Sequence, residues 1–299
     1  MAELRPLSTG EILDASFKLY TSNWRDLFKI SAVVLIPLGI ISAAFLGRMD
    51  LAGLMDLAVD PDPDPTEALA LMGRFLGRTL IVAAVSFLGA LLVQGASIRI
   101  FAARYDGRET SWRESLSEGA GRLPGLLGTA LMNGLGVAVG VLLCIAPGVW
   151  LWASWYVAVP ALMIEGKSPA AALGRSYRLV KQRFWPTLGV AALAFLIVYV
   201  IQQVVGATLG VALGIQAVVN EDPAGIFGGT LLAASSALST LVSIFVVPFT
   251  AAVATVVYFD LRVRLEGYDL EMLFKDLGDT PIVNDHPPPD EDPFGLGEH

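Results

Sequence analysis

From Leu123 to Ile164 the chain holds no Asp, Glu, Lys or Arg for 42 residues. A bilayer core about 30 Å thick is crossed by about 20 apolar residues rising about 1.5 Å each, so this run predicts two spans and a turn. Ala146-Pro147-Gly148 is the predicted turn, between a leg over Leu123–Leu143 and a return over Val149–Ile164. Lipid offers no partner to a free N–H or C=O, so both legs must be helices. Trp150, Trp152, Trp155 and Tyr156 follow the turn, where an interfacial aromatic belt is expected.

The same test predicts further spans at about 28–47, 75–101, 184–210 and 231–259, with Pro37 and Pro248 as expected kinks. The charge-free run Phe184–Asn220 is 37 residues, too long for one upright span. It reads as a tilted, overlong helix or as a span with a Gly-rich extension through Gly206, Gly210 and Gly214. Arg48 to Gly73 reads as a loop, because the alternating prolines of Pro61-Asp62-Pro63-Asp64-Pro65 favour an extended segment. The close carboxylates of that loop lack the spacing of a calcium loop, and a solvated acidic loop is the expectation.

Three polar stretches precede the hairpins. Met1–Leu27 reads as an amphipathic helix: Ser8 and Glu11 have capping-box spacing, and Leu13, Phe17, Tyr20, Trp24 and Leu27 recur at helical intervals. Such a helix lies in the headgroup layer or packs on the end of the bundle. Ser111-Trp112-Arg113-Glu114 is a second capping box, and Glu165–Arg183 is a third amphipathic stretch. A shift of 160 residues superposes Ser8, Leu13, Ser16 and Leu19 on Ser168, Leu173, Ser176 and Leu179, and a shift of 103 brings Ser111, Glu114 and Leu116 into the same phase. The expected architecture is therefore all-α: a six-span membrane bundle over residues 1–275, built as a threefold parallel repeat of interface helix plus hairpin.

Composition agrees: 55% hydrophobic residues, 16% charged and a mean hydropathy of +0.63 in 299 residues exclude an ordinary soluble domain. The single cysteine, Cys144, excludes an internal disulfide and a cysteine metal cluster. Lys and Arg fall unevenly, 17 on the side of the termini against three (Arg48, Arg74, Arg78) on the other, which predicts a cell-membrane protein with both termini cytoplasmic. The first 27 residues lack the apolar core of a cleavable signal, so the first span is the expected targeting element. Residues 276–299 carry seven acids and no Lys or Arg, and read as a disordered acidic tail. Arg outnumbers Lys 15 to 5, in keeping with a GC-rich bacterial genome.

Candidate chemistry is sparse. Glu165 closes span 4 and Arg175 lies ten residues on, so the two can pair, or Arg175 and Arg178 can take lipid phosphates. Asp260 and Arg262 end span 6 and read as a structural salt bridge. The polar residues within the spans, among them Gln94, Asn133, Gln202, Gln203, Gln216, Thr240 and Ser243, are uncharged and predict hydrogen bonds between helices. No nucleophile–base pair can be assembled and the two histidines, His286 and His299, sit in the tail, so no catalytic, cofactor or metal site is expected.

Two stretches resemble a known family. Trp155, Pro160, Glu165, Ala172-Leu173, Arg175-Ser176, Leu179-Val180 and Phe184-Trp185 form one, and Tyr258-Phe259-Asp260-Leu261-Arg262 with Arg264, Glu266-Gly267 and Asp269-Leu270 the other. With Arg5-Pro6-Leu7-Ser8 and Gly10-Glu11-Ile12-Leu13, they resemble the bacterial glycerophosphoryl diester phosphodiesterase membrane domain, over about residues 4–275. The resemblance implies an integral membrane bundle. It does not imply the diesterase activity, which belongs to a fused soluble barrel of about 250 residues.

The function expected is a non-enzymatic scaffold or accessory factor. Its expected contacts are the bilayer, anionic headgroups reached through the basic interface helices, and an unidentified membrane protein partner, with no nucleic acid. The alternatives are a channel or facilitator for a neutral or amphiphilic solute and, behind it, a membrane enzyme.

Overall fold

The computed structural model describes residues 7–48, 53, 64–219 and 229–267. The acidic tail, Pro61-Asp62-Pro63, Asp269-Leu270 and the side chain of Gln216 lie outside the described residues. The ordered elements are helices: α1 Thr9–Ser22, α2 Trp24–Leu46, α3 Pro65–Tyr105, α4 Trp112–Gly121, α5 Leu123–Leu143, α6 Ile145–Ser154, α7 Ala158–Glu165, α8 Pro169–Lys181, α9 Phe184–Val219 and α10 Gly229–Glu266. Six stretches are long and apolar enough to cross a membrane: α2, α3, α5, α6 with α7, α9 over Phe184–Thr208, and α10 over Ala233–Glu266. The protein is a multi-pass membrane helical bundle.

The axis of the bundle is the second half of α10. Every residue from Ala251 to Phe259 is buried, and α1, α2, α3, α7, α8 and α9 pack around it. A helix apolar on all sides has to be enclosed. Ala251, Ala252 and Ala254 let neighbours approach, while Tyr258 and Phe259 fill the space beside them and Phe259 stacks on Tyr105 at 4.1 Å. Gly39 of α2 sits so close to Thr240 that a Cβ there would stand 2.5 Å from its methyl carbon. Elsewhere the apolar surface faces outward: Leu142 is 86% exposed and Leu80 66%, surface that only lipid can satisfy.

Several boundaries differ from the sequence reading. Helix α3 begins at Pro65, well before 75, because Asp64 caps it by accepting from the Thr66 N–H at 2.9 Å, and Pro65 takes the first helical position, where no N–H is needed. The Thr66 hydroxyl and amide hold the Asp64 carboxyl below its ordinary range. Helix α3 is therefore 41 residues, about 60 Å, twice the bilayer core. Helix α9 continues unbroken through Gly206 and Gly210 to Val219.

The central turn is Cys144 alone, in extended backbone between α5 and α6; Ala146-Pro147-Gly148 belong to the first turn of α6, where proline costs nothing. Gly140 and Gly148 bring the two legs together: a Cβ on Gly148 would lie 2.8 Å from the Val141 nitrogen. The return leg is broken at residues 155–157 between α6 and α7. Pro160 cannot donate to the Tyr156 carbonyl, and the Ser154 carbonyl is taken from outside by the Ser176 hydroxyl at 2.8 Å.

Three short helices, α1, α4 and α8, each start on a serine in extended conformation (Ser8, Ser111, Ser168) and each run into a span within two residues. Ser8 and Glu11 form the full capping box, whereas Ser111 accepts from the Glu114 N–H but the Glu114 carboxylate takes the Thr110 hydroxyl instead. All three helices bury the residues four and eight after the cap: Ile12 and Ser16, Ser115 and Gly119, Ala172 and Ser176. Each hairpin returns to a glycine in left-handed conformation, Gly107, Gly166 or Gly267. In α1 the buried face is Ile12 and Ser16, with Asn23 buried just past its end, while Phe17 of the anticipated stripe and Trp24, the first residue of α2, point outward at 58% and 53% exposure.

Candidate functional site

All three short helices gather at one end of the bundle. Arg104 donates to Asn23 at 2.9 Å, Arg122 to the Gly166 carbonyl at 3.4 Å, and Arg99 pairs with Glu118. The backbone around Leu7 is clamped to α10: its N–H donates to Asp260 at 2.8 Å and its carbonyl accepts from Arg264 at 2.6 Å.

The pairing of Glu165 with Arg175 forms, with the Arg175 Nε donating at 2.7 Å. Its wider partners were not legible. Arg175 also clasps Glu266 of α10 with both terminal nitrogens, Nη2 at 2.7 Å from Oε2. The same Glu165 oxygen accepts from the Tyr258 hydroxyl at 2.6 Å, Lys167 lies 3.1 Å from its other oxygen, and Arg262 lies 3.1 Å from Glu266. Arg175 thus joins α7, α8 and α10 as a planar, two-sided clamp, geometry that a lysine could not supply. The Glu266 hydrogen bonds, opposed by loss of solvation and aided by Glu165, raise its pKa further above an already high value. It stays a cation throughout the working range.

Asp260 and Arg262 do not pair with each other. Two residues apart on a helix, their side chains diverge, and each finds a partner four residues on: Arg264 reaches Asp260 at 2.9 Å and Arg262 reaches Glu266. Arg262 also lies over the Tyr258 ring at 5.9 Å. Arg178, one helical turn beyond Arg175, is exposed and makes no ion pair among the described residues. Lys181, Arg113 and Arg25 are likewise exposed and outside the ion pairs of the described residues, the last two lying over Trp112 and Trp24 at 5.1 and 5.7 Å.

A second region lies deeper. A cavity of about 590 Å³ opens between α3, α5, α6, α7, α9 and α10. Trp152, Trp155 and Tyr156 line it, so these rings form a wall inside the bundle and not the anticipated belt. Its polar points are the Gln94 and Asn133 amides, the Tyr156 hydroxyl, Thr129 and Thr250. The two threonines are already satisfied within their own helices, donating to Gly125 and Val247. So are Thr240 and Ser243, which bond back to Ser236 and Ser239; the cross-helix bonds anticipated for them are replaced by bonds one turn back along the same helix. The Gln94 and Asn133 amides make no hydrogen bond among the described residues.

No family model, curated protein or solved structure matches this chain.

Proposed function

We propose that the protein is a non-enzymatic accessory or scaffold protein of the cell membrane whose basic end faces the cytoplasm and holds anionic lipid headgroups. The observation that carries this reading is the division of labour among the cations of that end. Arg175, Arg262 and Arg264 are consumed by carboxylates, whereas Arg25, Arg113, Arg178 and Lys181 stand exposed on or beside the short helices. Exposed cations beside tryptophans at the ends of spans suit the interfacial layer, where each is worth about 1 kcal/mol toward an anionic surface. The resemblance to the glycerophosphoryl diester phosphodiesterase membrane domain belongs to the same proposal. Of the residues that carry it, Glu165, Arg175, Ser176, Tyr258 and Glu266 fasten α6, α7 and α8 to one another and to α10, while Asp260 holds the backbone at Leu7.

The test is lipid retention. The full chain, purified from membranes in mild detergent, should retain phosphatidylglycerol in preference to phosphatidylethanolamine. Replacing Arg113, Arg178 and Lys181 with Gln should remove most of that preference without loss of the folded protein, and added salt should weaken it. Equal retention of the two lipids by the parent chain would refute the reading. The facilitator reading is favoured by the cavity; solute flux into vesicles that hold the protein tests it separately.

A further inference from the structure

We infer that the cavity is a binding site for an uncharged amphiphile that enters sideways from the bilayer, with Gln94 and Asn133 as the hydrogen-bonding pair that selects it. Depth places the site. Gln94 is five residues from Arg99 along α3, Asn133 eleven from Arg122 along α5, and Phe195 twelve from Arg183 along α9. At about 1.5 Å per residue the cavity runs from about 8 to about 18 Å below the charged end, inside a core about 30 Å thick.

The entrance is lateral. Helix α9 packs chiefly on α10, α1 and α6, and the cavity fills the gap it leaves toward α3 and α5. Phe87 and Phe195 at its margin are 43% and 60% exposed on the surface that meets lipid.

Chemistry selects the occupant. No charged side chain lines the cavity, and an ion at that depth without a partner is held only at great cost. An amide in an apolar wall without a partner also carries a cost, about 1–3 kcal/mol, which a ligand group can remove. Gln94 and Asn133 each offer both N–H and C=O, so a hydroxyl or ester carbonyl satisfies them where a hydrocarbon tail does not. The tryptophan and phenylalanine walls accept the apolar body, and the volume is that of an ordinary small-molecule site. The ligand class is therefore a lipid-soluble molecule with a neutral hydroxyl or carbonyl head. Binding of this kind needs no passage across the membrane, so it stands whether or not the facilitator reading does.

The experiment uses the full chain in nanodiscs and three photoactivatable probes with one alkyl chain and different heads: a monoglyceride, a carboxylate and a trimethylammonium. The monoglyceride should label peptides around Gln94, Asn133 and Trp152–Tyr156 several-fold more than either charged probe. Gln94→Leu with Asn133→Leu should lower that labelling about tenfold, the loss of about 1.4 kcal/mol of hydrogen bonding, while Leu131→Ala on the lipid face leaves it unchanged. Labelling of lipid-facing peptides reports that each variant is folded and inserted. Equal labelling by all three heads, preference for a charged head, or full labelling of the folded double variant overturns the inference.

Discussion

The charged end and the cavity treat polar groups in opposite ways. At the charged end Glu165 receives three donors and Glu266 two arginines, and the carboxylates lie within reach of cations on neighbouring helices. In the cavity the Gln94 amide, about 8 Å from Arg99 along α3, and the Asn133 amide, about 16 Å from Arg122 along α5, project from apolar walls with no hydrogen-bond partner among the described residues. The first arrangement is what a fold needs, since a partly buried carboxylate left without its donors costs stability. The second gives the fold nothing. Polar side chains kept where they do not stabilise are the ones most readily assigned to a ligand.

The contrast is broken most directly at Arg175. Arg175→Met leaves Glu165 and Glu266 with fewer donors at the α7–α8–α10 junction and should cost about 3 kcal/mol, read as a fall of several degrees in the thermal midpoint of the detergent-solubilised protein. Tyr258→Phe removes one hydrogen bond to a carboxylate and should cost about 1.5 kcal/mol by the same assay. Arg178→Gln, three residues from Arg175 on the same helix, should change stability by less than about 0.5 kcal/mol. Asn133→Leu should fall in the same small range or stabilise slightly, because nothing in the protein is left unpaired. A loss of about 2 kcal/mol or more at Asn133 would make it a structural residue and erase the distinction.

The six spans were legible because the absence of charge over about 20 residues has one physical reading, and each such run contains a helical stretch long enough to cross, one of them in two pieces, α6 and α7. Local capping was half legible. Ser8 with Glu11 reads as the capping box that forms, but the alternating prolines make Asp64-Pro65 read as loop, although it is a cap followed by the one position that welcomes proline. The break at residues 155–157 depends on a hydroxyl 22 residues away in sequence, and the second partner of Arg175 lies 91 residues away. Neither separation leaves a periodic trace. Gln94 and Asn133 stood out as polar residues within spans, but the cavity they face arises from where α9 settles against α10, which no single helix encodes.

The central claim is that these helices cross a bilayer with the charged end in the cytoplasm, and cysteine labelling in intact cells tests it. Cys144→Ser gives the background, since that thiol is exposed at the far tip of the α5–α6 hairpin. Ser111 caps α4 and is better left alone; Ser117 and Gln182 are exposed at the charged end, and Ala70 is exposed on α3 beyond Arg74 and Arg78 at the other. With single substitutions Ser117→Cys, Gln182→Cys and Ala70→Cys, a membrane-impermeant maleimide should modify only the Ala70 variant in intact cells and all three after permeabilisation. Modification of the Ser117 and Gln182 variants from outside, with the Ala70 variant protected, would contradict the orientation and with it the lipid-binding role assigned to the basic end.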